Sequence, residues 1–124
     1  MTFSLQRFVR AYLAAAHWLE TGEEGQPAKS REFSEGAKDA ATRTCAMFYT
    51  VARCELEKAI TLPGYDEDLA GVDLWLTQNG HGAGFFDRKV LVDNEIGERL
   101  TELVRQNVPP VSVYEGNDGM LHIA

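Results

Sequence analysis

The residues with the most chemical potential lie in one run, Asp73-Leu74-Trp75-Leu76-Thr77-Gln78-Asn79-Gly80-His81-Gly82-Ala83-Gly84-Phe85-Phe86-Asp87-Arg88. His81 stands between Gly80 and Gly82. An imidazole changes charge near neutral pH, so a positioned His81 can act as a general base. Asp87, Asp73 or a glutamate from elsewhere in the chain would orient it. Thr77 could be a nucleophile only with such a base beside it. Against catalysis, one histidine with no partner set by spacing is thin support. The glycines also lack the Lys-Ser/Thr pair of a nucleotide-hydrolase phosphate loop. A binding surface is the stronger reading, built from Trp75, Asn79, Gly80, His81, Gly82, Gly84, Phe86, Asp87 and Arg88. Aromatic residues and arginine dominate protein interfaces. No residue is assigned a catalytic role on this reading, and no cofactor is called for.

The element that must position these groups reads as a β-hairpin. Val72, Leu74 and Leu76 alternate with Asp73, Trp75 and Thr77, the period of a strand. Asn79-Gly80 is a turn dipeptide because both residues tolerate positive φ. Gly82 and Gly84 predict a wider loop or a bulge. Phe85 and Phe86 would then face opposite sides, and one of them would meet Trp75 across the strands.

The rest of the chain supplies helices and a second hairpin. Leu5, Phe8, Val9, Tyr12, Ala16 and Leu19 form a helical stripe over residues 3–19. Trp18 is expected over the core edge, and His17 is structural near the helix end. Residues 21–31 read as a loop, with Gly22, Gly25 and Pro27 stopping the helix and Glu20 to Glu24 as an acidic contact surface. A second helix is predicted over residues 34–62, capped by Ser34 and packed antiparallel on the first. Asp66, Glu67 and Asp68 do not have calcium-loop spacing and read as a helical turn or solvated connector. A third helix spans residues 94–107, capped by Asp93 or Asn94. Residues 111–115 and 120–123 are strands about a Gly116-Asn117-Asp118-Gly119 turn. The expected fold is therefore one α+β domain, residues 1–124, with two N-terminal helices packed on a small antiparallel sheet. Its order is α-α-β-β-α-β-β.

Composition narrows the partners. The formal net charge is −7, from 19 acidic and 12 basic residues. Such a surface repels phosphate backbones, so direct nucleic-acid binding is not expected. It suits encounter with a basic protein surface, or mimicry of nucleic acid. No run approaches the roughly 18 apolar residues of a membrane helix, and no secretion signal is recognised. Cys45 and Cys54 sit nine positions apart on one predicted helix, about 13 Å, beyond disulfide reach. They read as reduced, semi-buried core residues of a cytoplasmic protein. No Cys or His pair has metal-ligand spacing.

The run from Leu74 to Arg88 resembles a segment found in small proteins encoded by phages and prophages. The Phe8-Val9-Arg10-Ala11-Tyr12 helix and the Tyr114-Glu115-Gly116-Asn117-Asp118-Gly119 turn resemble the same family. That family brings a setting and not a reaction: the cytoplasm of a bacterial host. What the resemblance implies is an accessory protein that binds and inhibits a host or defence complex, as anti-CRISPR proteins do. Alternatives are a small enzyme using His81 as general base, or a homodimeric regulator paired through an edge strand.

Overall fold

A computed structural model describes residues 2–21 and 32–124 of the chain. The loop expected over residues 21–31, with its glycine stops and acidic surface, lies outside the described residues, except that helix α1 runs through Thr21. The described elements are helices α1 (Leu5–Thr21), α2 (Glu35–Val51), α3 (Arg53–Ala59), α4 (Glu67–Gln78), α5 (Lys89–Asp93) and α6 (Gly97–Asn107). A 3₁₀ turn covers Phe85–Asp87, and strands β1 (Val113–Glu115) and β2 (Leu121–Ile123) close the chain.

This corrects the α+β expectation. Among the described residues the fold is mainly helical, with one two-stranded antiparallel sheet in place of four strands. The expected first hairpin is helix α4 followed by a glycine loop. Glu67, Ala70, Gly71, Leu74, Trp75 and Gln78 are all buried and recur at three- and four-residue spacing. As a strand, adjacent Leu74 and Trp75 would face opposite sides and one would stay in water. Keeping a large apolar side chain exposed costs about 2 kcal/mol relative to burial, and the helix buries both.

Asn79-Gly80 ends this helix and does not turn a hairpin. The His81 N–H donates to the Leu76 carbonyl at 3.1 Å, and Gly80 has φ of 67°. Together these make a Schellman cap, which needs a left-handed residue at the same place a hairpin turn would.

The core forms where α1 crosses α4, and α1 packs more extensively on α4 than on α2, its expected partner. Gly71 permits the close approach: a Cβ there would lie 2.5 Å from the Phe8 carbonyl oxygen and 2.8 Å from the Tyr12 nitrogen. Phe8, Tyr12, Phe48 and Trp75 fill the centre, and the Tyr12 and Trp75 rings meet edge to face at 5.2 Å. At the N-terminus of α4, Arg7 holds Asp66, Glu67 and Asp68, and the Asp66 side chain caps Leu69. The acidic triplet is thus a helix start.

Further differences follow from local geometry. The long second helix is broken at Ala52 into α2 and α3, while Ser34 caps α2 as expected. The third helix, expected from residue 94, starts at Gly97 after a separate short helix α5, so neither Asp93 nor Asn94 caps α6. Trp18 is exposed instead of lying over the core edge. Both cysteines are free, with Cys45 buried and Cys54 exposed. Strand β2 pairs with β1 on one side and takes a parallel bridge from Phe33 on the other.

Candidate functional site

The glycine loop rests on a buried polar anchor. Asp73, fully buried on α4, accepts a hydrogen bond from the Tyr65 hydroxyl at 2.8 Å. It also receives the Arg88 guanidinium, Nη2 at 2.6 Å and Nε at 3.1 Å. A two-pronged guanidinium–carboxylate pair fixes orientation as well as distance. Burial pushes the Asp73 carboxyl above its ordinary range, while Arg88 and Tyr65 pull it back. Burial, reinforced by the Asp73 charge, also pushes the Tyr65 hydroxyl up. Arg88 therefore anchors the far end of the loop onto α4.

The remaining polar side chains of the run are also engaged. The Thr77 hydroxyl accepts from the Phe85 N–H at 3.1 Å. Asp87 accepts from the Gly84 N–H at 2.9 Å. Asn79 donates to the Trp75 carbonyl at 3.2 Å and accepts from the Val111 N–H at 2.8 Å. Gly84 is buried with φ of 143°, and a Cβ there would sit 2.2 Å from the Thr77 hydroxyl oxygen. Trp75 is wholly buried, so it supports the surface from below and does not anchor a partner. Its indole N–H donates to Glu20 at 3.0 Å.

His81, Gly80, Gly82 and Phe86 are the exposed members of the expected site, and the half-buried Arg88 and exposed Asp87 flank them. His81 Nε2 lies 2.5 Å from the same Glu20 oxygen that Trp75 contacts. Glu20 is thus the carboxylate from elsewhere that a histidine base would require. It sits in the last turn of α1, and no spacing rule in the sequence joins it to residue 81. Thr77, tied to the Phe85 N–H, does not join this pair.

A second polar arrangement lies at the C-terminal hairpin. Ser34 Oγ lies 3.1 Å from His122 Nδ1, and His122 Nε2 lies 3.0 Å from Asp118. Asp118 is held below the usual carboxylate range, first by His122 and then by the Met120 N–H. This is a hydroxyl–imidazole–carboxylate line, the order used to activate a nucleophile. Yet Ser34 is buried, and its oxygen already accepts the Ala37 N–H at 3.0 Å to cap α2. The line ties the C-terminal hairpin to the start of α2. Only the four-residue spacing of Asp118 and His122 about a turn signals it in sequence.

Among the described residues, no group of three His, Cys, Asp or Glu side chains converges to hold a metal ion. None of the described helices is long and apolar enough to cross a membrane. Comparison with family models, with curated proteins and with solved structures finds no match to this chain.

Proposed function

We propose that this chain is a phage-type accessory protein that acts by binding a host or defence protein and inhibiting it. The observation that carries this reading is the internal use of the loop's polar groups. Asp73, Thr77, Asn79, Asp87 and Arg88 are all engaged in holding the loop, leaving a fixed exposed ridge of Gly80, His81 and Gly82. A ridge already ordered in the free protein loses little conformational freedom on docking. The phage setting rests on the sequence resemblance. The net charge of −7 suits a basic partner surface.

The test is affinity capture with the full tagged chain from bacterial lysate, followed by mass spectrometry. The expected result is one stoichiometric partner, lost or weakened in His81→Ala while the variant keeps its circular-dichroism spectrum. Capture of no such partner would overturn the reading.

A further inference from the structure

Two large exposed apolar side chains border the same groove. Phe86, on the 3₁₀ turn, is 43% exposed, and Val92, on α5, is 50% exposed. They line a groove of about 540 Å³ between the 3₁₀ turn, α5 and α6. Gly97 sets its depth, because the start of α6 approaches the Phe85 carbonyl so closely that a Cβ would lie 2.5 Å from that oxygen. Glu95, Glu98, Thr101 and Arg105 line the groove too, two carboxylates against one cation. Farther along α6, Arg105 reaches toward Glu102 at 3.9 Å.

Glu95 is the unusual residue. Helix α5 ends in a Schellman cap, with the Ile96 N–H on the Leu91 carbonyl and the Glu95 N–H on the Val92 carbonyl, both at 3.1 Å. Glu95 holds the left-handed position of that cap at φ of 62°, the one such non-glycine among the described residues. Local physics favours glycine there. The equivalent cap of α4 has Gly80. A glutamate at α5 sacrifices backbone ease and places a carboxylate at the groove instead.

We infer that this groove docks a partner segment in which a lysine or arginine lies beside an apolar side chain. The apolar group sits against Phe86 and Val92, and its cation meets Glu95 and Glu98. Charge complementarity selects this occupant: the nearby carboxylates belong to a chain of net charge −7. Burying exposed apolar surface supplies the affinity, and the carboxylates supply the selectivity. This rests on the binding role proposed above and gives that role a surface and a partner chemistry.

The experiment is random-peptide display on the immobilised full chain, with enriched peptides synthesised and titrated. Enrichment of peptides joining Lys or Arg to an aliphatic or aromatic residue is expected. Phe86→Ser, Val92→Ser and Glu98→Lys should each weaken them by about tenfold or more. Glu95→Gly should raise the melting temperature and still weaken binding. No enriched peptide, or peptides insensitive to Phe86→Ser, Val92→Ser and Glu98→Lys, would overturn the inference. Lysate capture uses no selected peptide. A host partner retained by the groove variants therefore sinks this inference and leaves the binding role standing.

Discussion

At the scale of single residues, Asp73 and Arg88 decide whether the loop holds its place. A buried carboxylate left without its cation keeps the desolvation cost and loses the compensation. Arg88→Met should destabilise the protein by about 3 kcal/mol near pH 7, the low end for such pairs because the Arg88 side chain is 35% exposed. The pH dependence gives the sharper check. Burial raises the folded-state Asp73 carboxyl above its unfolded value, so the folded protein binds this proton more tightly. Stability from this group therefore falls as pH rises from the unfolded value toward the folded one. Removing Arg88 removes the pull that limits this rise. The gap between wild type and Arg88→Met should shrink as pH is lowered from 7 to 5 in urea titrations. The background runs the other way, because Asp68 is held low by Arg7 and Glu57 by Tyr49 and Arg53. Their stabilisation is present above the unfolded values and is lost as pH falls through the folded ones. A gap that widens on acidification would refute the proposed balance at Asp73.

At the scale of elements, two glycines that look alike in sequence do different work. Gly71 makes room for α1, and its Cβ would strike backbone atoms of Phe8 and Tyr12. Gly80 has open space around it and needs only its positive φ. Gly71→Ala should cost about 3 kcal/mol, the upper part of the overpacking range, because helix backbones cannot step aside as side chains do. Gly80→Ala should cost about 1 kcal/mol, the conformational term alone. Thermal denaturation of both variants tests the order, and equal losses would contradict the close α1–α4 crossing. These positions also explain what the sequence could and could not disclose. The apolar stripes of α1 and α2 were legible because they are written in large hydrophobic residues. The stripe of α4 is written partly in Gly71, Glu67 and Gln78. Glu67 is held by Arg7, and Gln78 is held by the Tyr12 hydroxyl. Polar residues in a buried stripe hide the helical period and leave Val72, Leu74 and Leu76 as a false alternation. Asn79-Gly80 could not arbitrate, since a hairpin turn and a helix cap both require positive φ. The exposed position of His81 was legible in its glycine neighbours. Its carboxylate Glu20 was not, because tertiary packing of α1 on α4 alone brings it there.

At the scale of the whole molecule, the arrangement of charge bears on how a partner is met. Arg7, Arg53, Arg88, Lys89 and Arg99 each lie against a carboxylate. With Lys38 against Glu35 and Arg105 against Glu102, seven of the ten described Lys and Arg side chains are locally matched, and the excess of carboxylates remains to set the outer field. Exposed pairs of this kind contribute little stability, so the excess is better understood through encounter than through folding. A field of this sort acts over roughly 8 Å at physiological ionic strength and is shortened by added salt. Raising salt from about 0.05 to 0.5 M should therefore slow association with a captured partner by about tenfold while changing dissociation far less. Stopped-flow or surface-based kinetics would separate the two rates. An association rate indifferent to salt would mean that the negative charge keeps the chain soluble and does not steer it. The groove bordered by Phe86 and Val92 would then have to find its partner by shape and apolar contact alone.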